Sequence, residues 1–327
     1  MEFFLPFQTR IFPFKISYTD KILFIGSCFS EEIGNKMTDL KFYVLQNPNG
    51  ILYDPISISD ALFSYIENET FDEKNLFELN GLWHSWKHHS VFSGVNKKDV
   101  LQKINNSIHQ AHSFLNQAKI LIITFGTAFN YQLKDGFKNV ANCHKAPANL
   151  FIKTLLPVEQ IKADVSSAIT ALETFNPELK IIFTVSPVKH VKDGVVENNR
   201  SKARLLEAAH LICDEKENVF YFPAYEWVTD VLRDYRFYKK DLVHPNDTAI
   251  DFVFEKFSHS FFEDVTKEAM KEIEKIISAM KHKPFKQESE AHQKFLSSQI
   301  QHISELENSY PFMNLSKEKE CFRQQLK

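Results

Sequence analysis

Two short motifs contain the residue types of a nucleophile and its base. The first, Gly26-Ser27-Cys28-Phe29-Ser30, follows the apolar residues 22–25 and offers a hydroxyl and a thiol at a turn. The second, Asp241-Leu242-Val243-His244-Pro245, supplies a carboxylate and an imidazole three residues apart. An imidazole that a carboxylate holds in one tautomer can remove the proton of a hydroxyl or thiol. Together the motifs predict a site for nucleophilic catalysis.

The first motif leaves the identity of the nucleophile open. A turn after a strand exposes a side chain, and the N-terminus of the next helix favours an anion there. Ser27 and Cys28 both fit this placement. The structural alternative is that Ser27 or Ser30 caps the helix while Cys28 fills a gap in the core.

The elements that must position these motifs alternate along the chain. Apolar runs typical of strands buried on both faces occupy residues 21–25, 119–125, 180–185 and 219–222. Helical patterns occupy residues 30–38, 57–66, 100–118, 157–175 and 201–214. The alternation predicts a doubly wound parallel sheet with helices on both faces.

The predicted topology also gives the position of the site. Right-handed crossovers place the carboxyl ends of parallel strands at one edge of the sheet. Ligands usually bind at this edge. Gly26, Gly126 and Ser186 each follow a predicted strand, so we expect these three residues to meet there.

Composition excludes several classes of protein. The chain has 327 residues, 43% of them hydrophobic, which is enough for a sizeable core. A formal net charge of -3 argues against a nucleic-acid partner. No apolar run approaches the ~20 residues that span a bilayer, and Met1-Glu2-Phe3-Phe4-Leu5-Pro6 lacks the basic region of a signal peptide. We therefore expect a cytoplasmic protein with neither a nucleic-acid nor a membrane partner.

Metal sites are not expected. The four cysteines, Cys28, Cys143, Cys213 and Cys321, form no CxxC pair, which fits free thiols in a reducing compartment. In the cluster Trp83-His84-Ser85-Trp86-Lys87-His88-His89, two histidines have helical spacing, but the cluster has no acidic ligand. An aromatic core is the favoured interpretation, and a sugar platform that includes Trp83 is the alternative. We predict neither a metal nor an organic cofactor.

The character of the sequence changes near residue 262. Apolar residues recur at helical spacing over residues 265–280 and again over 296–306, among many Lys and Glu. The pattern predicts a first domain over residues 1–262 and a helical tail over residues 263–327. The tail either packs on the first domain or pairs with a second copy, which would make a homo-oligomer.

These motifs as a set resemble those of GSCFA-domain proteins, a group placed with the SGNH/GDSL-type hydrolases. The resemblance covers about residues 5–260 and rests on several stretches: Gly26-Ser27-Cys28-Phe29-Ser30, Asn47-Pro48-Asn49-Gly50, Phe125-Gly126-Thr127-Ala128, Asn142-Cys143-His144-Lys145, Ser186-Pro187-Val188, Arg233-Asp234-Tyr235-Arg236-Phe237-Tyr238 and Asp241-Leu242-Val243-His244-Pro245. It implies a three-layer α/β/α fold of the SGNH, flavodoxin-like kind, with a C-terminal helical extension here.

The resemblance also implies roles for the two motifs. Gly26-Ser27-Cys28 falls on the glycine-aspartate-serine block of these hydrolases, so Cys28 takes the place of the nucleophile. A shift of one residue would give that place to Ser27 instead. Asp241 and His244 match the carboxylate and the base without a shift.

The resemblance gives candidates for the oxyanion hole and for substrate binding. Gly50 matches the glycine of the second block. Ala128 stands where the third block has asparagine, so Thr127 or Asn130 is expected to donate instead.

The segment Asn142-Cys143-His144-Lys145 has a structural and a functional interpretation. It is either a loop over the sheet edge or a substrate lid. In the lid, Asn142, His144 and Lys145 would hold an anionic or sugar-like group.

The favoured function is hydrolysis of an ester, with an acylated carbohydrate as one candidate substrate. Cys28 or Ser27 would carry the acyl group, and His244 would act as the base. One alternative is an O-acyltransferase that uses the same site to modify a sugar or lipid alcohol. The other is a ligand-binding module that kept the fold and lost efficient chemistry.

Overall fold

The computed structural model describes residues 5–8 and 10–326. Of the N-terminal segment Met1-Glu2-Phe3-Phe4-Leu5-Pro6, residues 1–4 therefore lie outside the described residues. Within the described part of the chain, no helix combines the length and the apolar character that crossing a membrane requires.

Strands and helices alternate through the first two thirds of the chain, and helices alone follow. The strands are β1 (Lys21–Gly26), β2 (Tyr43–Gln46), β3 (Leu76–Leu79), β4 (Leu82–Ser85), β5 (Ile120–Phe125), β6 (Phe129–Leu133), β7 (Asn139–Val140), β8 (Phe151–Leu155), β9 (Lys180–Val185) and β10 (Val219–Tyr221). The helices are α1 (Cys28–Asp39), α2 (Pro55–Ile66), α3 (Lys97–Leu115), α4 (Val158–Phe175), α5 (Val195–Glu215), α6 (Ala224–Glu226), α7 (Asp247–Phe261), α8 (Asp264–Lys281), α9 (Glu290–Ser309) and α10 (Ser316–Arg323). A π-helical segment, Trp227–Leu232, continues α6.

The central sheet is parallel, with the strand order β10-β9-β5-β1-β2. Counted along the chain, this is the 2-1-3-4-5 order of flavodoxin-like folds. Ile22 of β1 pairs with Val44 of β2 on one side and with Ile120 of β5 on the other. The strand order reverses between β1 and β5, so the carboxyl ends of these two strands flank the crevice where ligands bind in such sheets.

Alternate residues of each central strand enter separate cores on the two faces of the sheet. Leu23 and Ile25 pack with buried residues of α2, α3, α4 and α5. Ile22 and Phe24 pack with α1, α7 and the C-terminal helices. This alternation follows from the period of two in a strand. It confirms the predicted three-layer α/β/α fold.

The structure confirms the strands predicted from fully apolar runs and adds strands that the sequence patterns did not indicate. Strand β2 was missed because its residues are exposed or half-buried, as at a sheet edge. The antiparallel pair β3-β4 and the small sheet β7-β6-β8 were also missed. Both are short and mix polar with apolar residues, so no periodic signal marks them.

The C-terminal helices pack on the α/β unit. Ala269 and Ile273 of α8, Leu296 of α9 and Phe322 of α10 belong to the same buried cluster as Phe24 of β1. An ion pair of 2.5 Å joins Lys41 Nζ to Glu318 Oε1. The boundary at residue 262 and the pairing with a second copy stay predictions.

Candidate active site

Cys28 is the first residue of α1 and follows the carboxyl end of β1 with one residue between. Its side chain is half-buried and lines a cavity of about 450 Å³. The preceding residue, Ser27, is the N-cap of α1 but does not cap through its side chain. Ser27 is only 1% exposed and lies close to Gly126, where an added Cβ would be 3.3 Å from the Ser27 Cβ. Of the two candidate nucleophiles, Cys28 is therefore the one that borders open space.

Asp241 and His244 form a hydrogen-bonded pair, of which His244 borders this cavity. His244 Nδ1 lies 2.7 Å from Asp241 Oδ2, and His244 lines the cavity together with Cys28. The other oxygen, Asp241 Oδ1, accepts from the backbone N–H groups of Val243 at 2.9 Å and His244 at 3.0 Å. With Nδ1–H donating to the carboxylate, Nε2 of His244 is left as the basic nitrogen.

The loop that holds this pair has a defined backbone. Leu242 adopts the left-handed region at φ 59°, and its N–H donates to Lys239 O at 2.9 Å. Lys239 N–H donates in turn to His244 O at 2.7 Å, and Lys189 N–H donates to Val243 O at 3.2 Å. A non-glycine residue with positive φ is rare. The loop is therefore fixed by its own hydrogen bonds and by the segment after β9.

The surroundings of the Cys28 thiol oppose ionisation on balance. Burial is the main cause that raises the pKa of Cys28, and the carboxylates Glu31 and Glu32 add to it. A backbone hydrogen bond from the N–H of Cys28 lowers the pKa of this thiol, and Lys202 lowers it to a smaller extent. Burial and Cys28 itself raise the pKa of the neighbouring Tyr53 to about 12, so Tyr53 stays a neutral hydroxyl. A base such as His244 is thus required to generate the thiolate near neutral pH.

Two site residues were missed from the sequence. His190 lines the cavity, and burial, with Lys202 and His244 contributing, lowers the pKa of His190 to about 4. Lys202 of α5 is 2% exposed, and its ammonium donates to the carbonyls of Gly126 and Ser186, each at 2.6 Å. The motif Ser186-Pro187-Val188 ends two residues before His190 and is the sequence feature that could have indicated His190. No sequence feature indicated Lys202, because a lysine in a helix ordinarily lies on a solvated face.

Of the three expected oxyanion donors, two lie outside the Cys28 cavity. Gly50 N–H donates to Asn47 O at 2.7 Å within a turn, and Asn130 Nδ2 donates to Asp54 Oδ1 at 3.0 Å and also to Asn139 Oδ1. Neither residue lines the cavity.

Thr127 does line the cavity. Its Oγ1 lies 3.1 Å from Ser201 Oγ and accepts from Phe129 N–H at 3.1 Å. When Ser201 donates to it, the Thr127 hydroxyl hydrogen is free to donate into the cavity.

Of the expected substrate-binding residues, likewise, one lines the Cys28 cavity and three do not. Asn142 lines the cavity, as does Cys143 next to it. His144 is buried under the β3-β4 pair, where Nε2 lies 2.8 Å from Ser85 O and the ring is 4.5 Å from that of His84. Lys145 is exposed outside the cavity, and Trp83 lies in β4 under the ammonium of Lys97 at 4.5 Å. The structure does not bring these last three residues to the Cys28 cavity.

The histidine cluster is not helical. His84 lies in β4 with Nδ1 2.7 Å from Ser93 Oγ, and His88 Nδ1 lies 2.9 Å from Ser85 Oγ. Across residues 5–8 and 10–326, no group of three or more His, Cys, Asp or Glu side chains could hold a metal ion.

The fold and the site together define a class: a three-layer α/β protein with a thiol, an imidazole and a carboxylate at the switch point of its parallel sheet. Within this class the chain belongs to the GSCFA family, whose model matches residues 21–257. The model of the GSCFA domain protein, C-terminal domain, matches residues 273–327. No curated protein matches the sequence.

Among solved structures, the chain is similar to an acetyl xylan esterase, Est2A, from the rumen bacterium Butyrivibrio proteoclasticus. The sequence identity is 12% and the TM-score 0.35, over 74% of this chain and 63% of the esterase chain. The chain thus spans less than two thirds of that esterase, and a likeness this distant does not assign an activity.

Proposed function

We propose that the protein is an ester hydrolase that forms an acyl-enzyme on Cys28. The observation that supports this most directly is that Cys28 and His244 line one cavity while Asp241 fixes the His244 tautomer. A nucleophile, a base and an orienting carboxylate are the parts that acyl transfer requires. The similarity of the motifs to those of SGNH/GDSL-type hydrolases agrees with this assignment.

In the first half of the reaction, His244 Nε2 takes the thiol proton and the Cys28 sulfur attacks the ester carbonyl carbon. The carbonyl π electrons move to oxygen, and the oxyanion accepts hydrogen bonds from the Thr127 hydroxyl and from the first amide of α1. The positive end of the α1 dipole favours this charge. The intermediate then collapses, the carbon–oxygen bond to the alcohol breaks, and His244 returns the proton to the leaving oxygen.

In the second half, water replaces the alcohol. His244 removes a proton from the water, whose oxygen attacks the thioester carbonyl carbon. Collapse of the second intermediate breaks the carbon–sulfur bond, and the proton on His244 returns to the sulfur. Asp241 stays ionised throughout and stabilises the imidazolium that forms in each half.

A second cavity supports a polar alcohol, such as a sugar, as the leaving group. It has a volume of about 460 Å³ and shares Lys189 and Val243 with the Cys28 cavity. Its lining includes tyrosines and amides that can bind hydroxyl groups: Tyr225, Tyr235, Tyr238, Asn198 and Asn199. An acyl group beside Cys28 could therefore be joined to a carbohydrate that extends past the Asp241 loop.

The same neighbouring cavity favours acyl transfer as a second candidate function. A sugar or lipid alcohol bound there would compete with water for the acyl-enzyme. Release of free acid without added alcohol identifies the hydrolase. Acylation of a supplied alcohol at a higher rate than release of acid identifies the transferase.

The acyl-enzyme is tested by incubation with p-nitrophenyl acetate, followed by intact mass and peptide mapping. We expect an acetyl adduct on Cys28 in the wild type and in Ser27→Ala, and none in Cys28→Ala. Cys213→Ala, which removes a half-buried thiol of α5 outside the cavity, is the matched control and should keep the adduct. An acetyl adduct found on Ser27 in Cys28→Ala would identify Ser27 as the nucleophile. If no adduct forms and no ester of a broad panel is hydrolysed, the result would favour the alternative that the protein is a ligand-binding module.

A further inference from the structure

The second cavity, of about 460 Å³, is lined by two carboxylates whose oxygens already have hydrogen-bond donors. Asp234 accepts from the backbone N–H of Arg236 at 2.8 Å through Oδ1 and from Arg236 Nη2 at 2.9 Å through Oδ2. Both oxygens of Asp241 likewise have donors, which belong to Val243 and His244. Neither carboxylate therefore needs a cation from the cavity wall as its partner.

The cations that line the same cavity have no carboxylate partner. In the described part of the chain, the side chains of Lys189 and Arg233 form no ion pair and no hydrogen bond. The third cation, Lys202, is 2% exposed, and its ammonium donates to two strand-end carbonyls. Burial lowers the pKa of Lys202 to about 7, so it carries only part of a charge near neutral pH. The cavity is positively charged chiefly through Lys189 and Arg233.

Aromatic rings hold the Lys189 ammonium in place without neutralising it. Lys189 Nζ lies 4.2 Å from the ring centroid of Tyr235 and 4.1 Å from that of Tyr238. The face of an aromatic ring attracts a cation although the ring has no net charge. The backbone N–H of Lys189 also donates to Val243 O at 3.2 Å, which ties this residue to the loop of the candidate base. An anionic group of a ligand can therefore pair with an ammonium that is already positioned.

Arg233 lines the cavity at an irregular helix end. It follows the π-helical segment Trp227–Leu232 with a φ of 33°, and its N–H donates to Val228 O at 3.2 Å. Such segments, and non-glycine residues with positive φ, are frequent at functional sites. Asp230 of this segment does not line the cavity, and its Oδ2 lies 3.1 Å from Thr229 Oγ1. The guanidinium is left to bind a planar anion, such as a carboxylate or phosphate, through two N–H groups.

The position of this cavity relates its charge to the candidate reaction. Lys189 and Val243 line both this cavity and that of Cys28. We propose that the second cavity binds an acidic sugar, whose carboxylate or phosphate pairs with Arg233 and Lys189, and that the ester substrate is an acyl ester of such a sugar. This inference rests on the proposed hydrolase, but the binding of the sugar can be measured without ester turnover.

The first test compares the binding of methyl β-glucuronoside and methyl β-glucoside by isothermal titration calorimetry. The two probes differ only in a carboxylate that replaces a hydroxymethyl group, and neither is an ester. We expect the protein to bind the acid about tenfold more tightly, the usual effect of one charge-assisted hydrogen-bonded pair. Glucose 6-phosphate, measured alongside, distinguishes phosphate from carboxylate as the preferred anion. Equal affinities for all three sugars, or no binding of either anion at millimolar concentration, would overturn the proposal.

Variants of the two cations test where the anion binds. Arg233→Gln and Lys189→Gln should each weaken binding of the preferred anion about tenfold, whereas Arg233→Lys keeps the charge and should retain part of the affinity. Arg200→Gln is the matched control, because Arg200 lies on α5 outside the cavity and pairs with Glu197 at 2.9 Å. An anion preference that persists in both Gln variants, or that falls equally in Arg200→Gln, would overturn the proposal.

Hydrolysis of the acetyl esters of the same two methyl glycosides separates this inference from the proposed function. The acetylated glucuronoside should have a kcat/KM about tenfold above that of the acetylated glucoside, and Arg233→Gln should remove this difference. Hydrolysis of both esters with equal kcat/KM would overturn the substrate assignment and leave the hydrolase. Preferential binding of the anion without hydrolysis of either ester would refute the proposed hydrolase and support the anion site.

Discussion

Lys239 and Glu32 form an ion pair of 3.0 Å between residues 207 positions apart. Glu32 lies in the first turns of α1, the helix that begins with Cys28, and Lys239 begins the loop that carries Asp241 and His244. The pair therefore joins the two motifs from which the sequence predicts a catalytic site. Its partners are about 44% and 43% exposed, so its contribution to global stability is small.

Lys239→Ala should lower kcat/KM several-fold while it changes the melting temperature by only about 2–4 °C or less. The reason is that the ion pair orients the His244 loop towards α1 more than it stabilises the fold. Steady-state ester hydrolysis and thermal unfolding measure the two effects. Lys240→Ala is the matched control, because Lys240 is the exposed neighbour on the same loop. Equal losses of activity in the two variants would mean that Lys239 has no orienting role.

Asp241 should make folding stability depend on pH in the acid range. Backbone donors from His244 and Val243, together with the His244 side chain, hold the pKa of Asp241 well below its usual range. A lowered pKa in the folded state stabilises the protein above the unfolded value, near pH 4, and the stabilisation is lost as pH falls towards the folded value. Urea unfolding should thus show a constant free-energy difference between wild type and Asp241→Asn at pH 5–7, which narrows below about pH 4. A difference that widens in acid would contradict the assignment.

The sequence predicts the layers of this fold well because its central strands are buried on both faces. Runs such as 119–125 contain apolar residues on both sides, which distinguishes them from the surrounding amphipathic helices. The edge strand Tyr43–Gln46 has no such run, since one of its sides meets solvent. Its place in the sheet is set by pairing with β1, a contact between chain segments that local periodicity does not encode.

The candidate site is predicted less completely. The spacing of Asp241 and His244 suffices to predict their hydrogen bond because both lie on one short loop. His144 also has the chemistry of a site residue, but the left-handed backbone at φ 48° turns it under the β3-β4 pair. Lys202 reaches the carbonyls of Gly126 and Ser186 because α5 packs against β9 and β10. Such placements depend on tertiary packing and leave no pattern in the sequence.

Thr127→Val should slow acylation of Cys28 by about 10²-fold, near the lower end of the effect of one oxyanion donor. The substitution keeps the volume of the side chain and removes the hydroxyl, while Thr127 is 8% exposed and borders the cavity. Thr127→Ser retains the hydroxyl and should recover most of the rate. The burst of p-nitrophenol from p-nitrophenyl acetate measures acylation directly. If Thr127→Ser is as slow as Thr127→Val, the effect comes from packing against Ser201 and not from a hydrogen bond to the oxyanion.

His244→Ala should reduce acylation by about 10²–10⁴-fold, the usual contribution of a general base, with little change in the melting temperature. The His244 side chain is 41% exposed, and its side-chain hydrogen bond is to Asp241, so its removal leaves no cavity in the core. The residual rate should rise with pH, because hydroxide can ionise the thiol once the base is absent. Stopped-flow acylation between pH 6 and 9, with thermal unfolding of the same samples, measures both effects. A large fall in the melting temperature would show that His244 has a structural role in the loop. An unchanged acylation rate would show that His244 is not the base.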